Sequence, residues 1–205
     1  MSHVFPRQIN APPIKAVASK GCYIFDDSGN RYLDGSGGAA VSCLGHADPE
    51  VVQAIQDQTS KMAFAHTGFF SSDPAEELAE LLIKYAPGDL DRVYFVSGGS
   101  ESIEAAIKLA RQYHIENGEP NRRHIIARRQ SYHGNTLGAL AAGGNKWRRD
   151  PFEPILINVS HIAPCYEYID KSNQEKTYGY GQRVAQELED EILRLGSDTV
   201  MAFIA

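Results

Sequence analysis

The sequence predicts an α/β protein on a mostly parallel sheet, and three features carry that expectation. From residue 92 onward, apolar runs of strand length alternate with stripes of helical period. Helix starts are marked by the pairs Asp48-Pro49 and Asp73-Pro74. Two segments rich in glycine and polar residues follow directly on strand-like runs, at the strand ends where open α/β sheets bind ligands.

Taken in order, the first twenty residues read as an irregular arm with Pro12-Pro13 in it. Tyr23-Ile24-Phe25 and Arg31-Tyr32-Leu33 flank Asp26-Asp27-Ser28-Gly29-Asn30, the pattern of a β-hairpin with a Gly-containing loop. Gly35-Ser36-Gly37-Gly38-Ala39-Ala40 has little side chain to pack and reads as a loop. Asp48 is expected to cap a helix carrying Val52, Ile55 and Met62. Asp73, with Glu76 at capping-box spacing, is expected to cap one carrying Leu78, Leu81, Leu82 and Tyr85. Strands are expected at Arg92–Val96, His124–Ala127, Ile155–Val159 and Val200–Ile204. Helical stripes lie at Ile103, Ala106, Ile107 and Ala110, and again at Val184, Leu188, Ile192 and Leu195.

Composition narrows the class of function. Of 205 residues, 42% are hydrophobic and 22% charged, as in a globular protein. The net charge of −6, from 26 acidic and 20 basic residues, argues against a nucleic-acid face; Arg122-Arg123 and Arg128-Arg129 are the nearest thing to a basic patch. No apolar stretch approaches the roughly 20 residues of a membrane span, and the first residues lack the apolar run of a signal peptide. Cys22, Cys43 and Cys165 show neither CxxC nor metal-ligand spacing, so free thiols in the cytoplasm are the expectation.

The first segment that carries chemistry is Val96-Ser97-Gly98-Gly99-Ser100-Glu101, at a strand-to-helix junction. Free amides at a helix start, its positive dipole end and the Ser100 hydroxyl together suit a phosphate. The same residues also suit a plain cap and turn. The segment is neither a P-loop nor GxGxxG. Glu101, a carboxylate beside an anion site, is expected to turn away and hold the turn. The second segment is Ser131-Tyr132-His133-Gly134-Asn135-Thr136, where Tyr132 has the shape to stack on a flat ring. A packed surface turn is the other reading. His133 has no partner at metal-ligand spacing, so no metal is expected.

Together these residues carry a resemblance. Val96 through Arg111 is similar to the phosphate-cup segment of class III (omega-amino) pyridoxal-phosphate-dependent aminotransferases, and Ser131–Thr136 to their cofactor-stacking loop. Tyr23 through Asp34, then Gly45-His46-Ala47-Asp48-Pro49, resembles their N-terminal hairpin and following turn. The resemblance implies fold type I, with residues 1–50 as an arm and hairpin contributing to a small domain and residues 51–205 as the first part of the large domain. It implies pyridoxal 5'-phosphate as cofactor, its phosphate held by Gly99 and Ser100 and its ring faced by Tyr132. Gly38, Ala39 and Ala40 fall where the family lines its substrate pocket. Phe64, His66, Thr67, Gly68 and Phe69 resemble a segment lent across a homodimer interface, with plain packing of an aromatic loop as the alternative.

Departures from the family pattern also shape the expectation. Ser102-Ile103 stands where many relatives carry Ala-Asn. None of the eight lysines (Lys15, Lys20, Lys61, Lys84, Lys108, Lys146, Lys171 and Lys176) matches the one that carries the cofactor. The aspartate paired with the pyridine nitrogen and the glutamate near it are likewise unmatched. The chain ends inside an apolar run, so a longer polypeptide is expected, and the 205 residues alone are not expected to be active. The activity implied is transfer of an amino group between an amine or ω-amino acid and a keto acid such as pyruvate. An aminomutase or racemase on the same scaffold remains open, as does a non-catalytic binder of a phosphate ligand. A Rossmann-type dehydrogenase fits poorly, because the glycine turn has the wrong form.

Overall fold

In a computed structural model, residues 3–205 are described; Met1 and Ser2, the start of the expected arm, lie outside the described residues. The chain forms two compact units, one ending at Val93 and the other beginning at Tyr94.

The first unit opens with a three-stranded antiparallel meander, β1 (Ala16–Lys20), β2 (Tyr23–Asp26) and β3 (Arg31–Leu33). The expected hairpin is β2–β3, with Ile24 opposite Tyr32. Strand β1 corrects the reading of the first twenty residues as irregular. Ala16-Val17-Ala18-Ser19-Lys20 is weakly patterned, and its conformation is fixed by pairing with β2, across a register irregularity between Ala16 and Ala18. Gly37–Ala40 forms a single turn, α1, with left-handed backbone at Gly37, Gly38, Ala39 and Ala40.

Helix α2 (Pro49–Lys61) begins as expected, with the Asp48 carboxylate accepting from the Glu50 and Val51 amides at 3.0 and 3.1 Å. Helix α3 (Asp73–Tyr85) differs from expectation. Asp73 is its first helical residue, Ser72 precedes it without a side-chain capping bond, and the Glu76 carboxylate takes the Ser71 hydroxyl instead. With Pro74 in the first turn lacking an N–H, few amides there need a cap. Neither helix has a buried residue within the described structure.

The second unit starts with helix α4 (Gly99–Glu116), followed by β4 (His124–Arg128), α5 (Leu137–Ala142), α6 (Lys146–Arg149) and a 3-10 turn at Asp150–Ile155. Strand β5 (Val159–Ile162), α7 (Glu167–Asp170), α8 (Thr177–Leu195) and β6 (Val200–Ile204) complete it. The sheet has the order β5-β4-β6 and is parallel throughout. Its central strand is almost sealed from solvent at Ile125, Ile126 and Ala127, as the unbroken apolar run requires. Ile125, Ala127, Ala141 and Val159 form the core, with Ile107 from α4 and Met201 and Ile204 from β6 packed against it. Helix α8 follows its predicted stripe, with Val184 buried and Leu188, Ile192 and Leu195 half-buried.

Two expected strands differ. Ile155–Val159 is shifted: Pro154 sits in the 3-10 turn, and the ladder starts only at Val159, opposite Ile125. Arg92–Val96 has the apolar content of a strand but no ladder partner among the described residues, so it forms none.

The β2–β3 turn supplies a test. The Asp26 carboxylate accepts from the Ser28 and Asn30 amides, the Asn30 side chain and the Tyr32 hydroxyl, at 2.8–2.9 Å. Led by the Asn30 side chain, these donors hold its carboxyl below the ordinary 3.8. The stabilisation is therefore complete above that value and is lost as pH falls through the lower folded one. In the full-length protein, Asp26→Asn should melt well below the wild type at neutral pH, and the gap should close below about pH 3.8. A gap independent of pH would count against this origin.

Candidate functional site

Four pieces of the second unit build the site: the Ser97–Glu101 turn, helix α4, the Ser131–Thr136 loop and helix α6. Helix α4 has 18 residues, is preceded by Gly98 in extended conformation, and carries no side-chain cap. Its first intrahelical bond of this kind runs from the Ser102 amide to the Gly98 carbonyl at 3.0 Å. The Gly99 and Ser100 amides have no acceptor among the described residues. They project from the positive end of the helix dipole, where an anion is favoured.

Glu101 behaves as expected: its carboxylate accepts from the Ser97 amide at 2.9 Å and closes the turn. Its charge is thus partly compensated by a donor of its own.

The Ser131–Thr136 loop meets this turn directly. The Asn135 amide donates to the Ser100 hydroxyl at 3.0 Å, and that hydroxyl donates to the Asn135 side-chain oxygen at 3.4 Å. The Thr136 hydroxyl reaches the Ser100 carbonyl at 3.5 Å. The donated bond from Ser100 is long, so its proton is readily redirected to a stronger acceptor. Gly134, at φ 131°, approaches so closely that a Cβ there would lie 2.4 Å from the Ser100 hydroxyl oxygen. No other residue type fits that backbone beside Ser100. At its other end the loop is tied by Ser131, whose hydroxyl donates to the Arg128 carbonyl at 2.7 Å and accepts from the Gly144 amide at 3.1 Å.

Tyr132 leaves 62% of its surface exposed. The Arg148 guanidinium lies over its ring, 5.0 Å from the centroid, and 4.5 Å from that of Trp147. Beside it, His133 has a buried Nε2 without a hydrogen-bond partner, and burial lowers its pKa. Sequence reasoning missed Glu104 on α4, whose carboxylate accepts from the Gly138 and Ala139 amides at 2.8 and 3.3 Å. It also missed Arg148. Both contacts join residues far apart in sequence or on different elements, so no local pattern announces them.

The remaining predicted residues belong to the first unit, in two separate features. Ala39 and Ala40 sit in the left-handed turn α1, both exposed. Phe64, His66 and Thr67 lie in the link between α2 and α3. There Phe64 is exposed, and His66 accepts the Gly68 amide on Nδ1 at 3.0 Å with its ring 5.3 Å from that of Phe69.

The donor set fits the phosphate and one ring face of pyridoxal 5'-phosphate. It offers two free amides at a helix start, a hydroxyl with a redirectable proton, carboxylates already provided with donors, and an exposed aromatic ring. No group of histidine, cysteine and carboxylate residues able to hold a metal is present among the described residues.

Comparison with known proteins agrees with this chemistry. An uncharacterised aminotransferase of Schizosaccharomyces pombe is 45% identical over the whole chain, which covers 45% of that protein. One from Bacillus subtilis is 38% identical over 98% of the chain and 44% of its own length. The crystal structure of an (S)-enantioselective omega-transaminase from Thermomicrobium roseum matches all of the chain with a TM-score of 0.90 and 37% identity, over 47% of its length. An omega-transaminase from Pseudomonas jessenii in complex with PMP matches with a TM-score of 0.92 and 27% identity, over 46% of its length. The chain thus spans about half the length of the relatives it matches. Residues 4–205 also match the family model described as aminotransferase class-III, and the chain belongs to that pyridoxal-phosphate-dependent family.

Proposed function

We propose that the protein carrying this chain is a transaminase that moves an amino group between an amine or ω-amino acid and a keto acid such as pyruvate. The observation that carries the reading is the union of an uncapped α4 start with the Tyr132 loop, held together through Ser100 and Gly134. In this reading the Gly99 and Ser100 amides and the Ser100 hydroxyl bind the cofactor phosphate, and Tyr132 faces the pyridine ring. The bound cofactor supplies an electron sink for chemistry at the carbon bearing nitrogen. The residues of this chain hold it in register: the α4 dipole anchors its charged end, and Tyr132 restricts the tilt of its ring.

The lysine that carries the cofactor and the aspartate at its ring nitrogen belong, in this reading, to the part of the protein outside these 205 residues. Ala39 and Ala40 line the substrate pocket, and the Phe64–Phe69 link contributes Phe64, His66 and Thr67 to a homodimer interface with shared active sites. Cys22, Cys43 and Cys165 are free thiols, which suits a cytoplasmic enzyme.

Three outcomes test the reading in the full-length enzyme. Loss of a hydrogen bond to a charged group costs about 1.5–3 kcal/mol, so Ser100→Ala should weaken cofactor affinity about 10- to 150-fold; an unchanged affinity removes the phosphate assignment. Tyr132→Ala should shift the cofactor absorbance and cost about 1 kcal/mol of binding, and an unaltered spectrum speaks against stacking. Light scattering should find a dimer; an active monomer would overturn the shared-site arrangement.

A further inference from the structure

The phosphate turn and the ring-facing loop come from separate stretches of chain, yet a cofactor that spans both needs them fixed to within a fraction of an ångström. Ser100 joins them at one point. One turn further along α4, Glu104 joins them at a second. Its carboxylate accepts from the Gly138 amide at 2.8 Å and the Ala139 amide at 3.3 Å, the first turn of α5. Helix α5 leads straight out of the Tyr132 loop, and its first turn has no cap of its own, because Thr136 makes no capping bond. The approach is close: a Cβ at Gly138 would lie 2.6 Å from the carboxylate, so glycine there lets the carboxylate sit against the backbone. Residues Gly138–Ala142 are buried, which makes α5 the rigid end of the loop.

We propose that Glu104 is a positioning residue for the cofactor site, clamping the loop that bears Tyr132 to the helix that bears Ser100. The clamp rests on the cofactor reading given above and adds to it a role for a residue that touches neither phosphate nor ring. A carboxylate so near an anion site is unfavourable unless neutralised, and here the Thr136 side chain leads the donors that hold its pKa down, with the Gly138 and Ala139 amides and the charge of Lys108 adding to it. Glu104 therefore presents its charge to α5 and not to the phosphate turn. The geometry also explains how a change at Glu104 reaches the cofactor. Without the acceptor, two α5 amides lose their partner, Ser100 is left as the tie between the loop and α4, and Tyr132 moves relative to the phosphate.

The experiment compares Glu104→Met, close in volume and lacking an acceptor, with Glu104→Gln, which keeps an oxygen for the α5 amides, in the full-length enzyme. Cofactor affinity comes from absorbance titration of the apoenzyme with pyridoxal phosphate. Ring orientation comes from circular dichroism in the cofactor band, and Ser100→Ala is measured alongside. Glu104→Met should weaken affinity about tenfold and alter the dichroic band, while Glu104→Gln restores most of both. A purely structural role would lower the melting temperature of the apoenzyme and leave affinity and dichroism unchanged at lower temperature; that result overturns the inference. Unchanged affinity in Ser100→Ala overturns the cofactor reading and the clamp together. A loss in Ser100→Ala with wild-type behaviour in Glu104→Met overturns the clamp alone. If Glu104→Met fails to fold, Gly138→Ala decides: its Cβ would lie 2.6 Å from the Glu104 carboxylate and push it off the α5 amides, and an unaltered dichroic band in it also overturns the clamp.

Discussion

The second unit depends on one steric constraint, the approach of the Gly134 backbone to Ser100. A side chain at Gly134 would place its first carbon 2.4 Å from the Ser100 oxygen, well inside any non-bonded contact. Because glycine stands there, the loop after β4 lies against the start of α4, and the Asn135 amide finds the Ser100 hydroxyl. The other links between the two segments are possible only once that approach is made. Ser131 ties the loop back to β4, so the candidate site is anchored to the most deeply buried strand among the described residues.

Electrostatics imposes a second condition. The first six residues of α4 include two carboxylates, Glu101 and Glu104, at the end of a helix that favours an anion. Left bare, they would repel any phosphate brought there. Each is instead occupied by backbone donors, Glu101 by the Ser97 amide and Glu104 by those of α5. Both charges therefore hold local structure in place, and the amides of Gly99 and Ser100 stay available.

Much of the architecture is legible in the sequence where local chemistry decides it. The Asp48 cap, the apolar run of β4, the β6 strand and the α8 stripe all follow from patterns within a few residues. Elements decided by a distant partner are not legible. β1 exists because β2 is there to pair with, β5 begins where Ile125 places it, and Arg92–Val96 has apolar content but no neighbour. The site divides the same way. Gly99, Ser100 and Tyr132 stand out in the sequence because motif and family resemblance coincide on them, and the structure brings their two segments together through Ser100. The Glu104 contact spans 34 residues, and the Arg148 contact with Tyr132 depends on how α6 folds back, so neither leaves a local trace.

The left-handed turn at Gly37–Ala40 carries a different kind of consequence. Gly37 and Gly38 adopt positive φ freely, but Ala39 and Ala40 do so at 63° and 67°, a conformation that costs an L-residue about 1–2 kcal/mol. Such a backbone admits glycine, asparagine or aspartate with ease and resists valine, isoleucine and threonine, whatever the surroundings. The accessible alphabet at these two sites is therefore set by chirality before any neighbour is consulted. A laboratory library that randomises them fully would spend most of its diversity on chains whose backbone must refold locally, and a short list of small and amide-bearing residues would sample the useful variation instead.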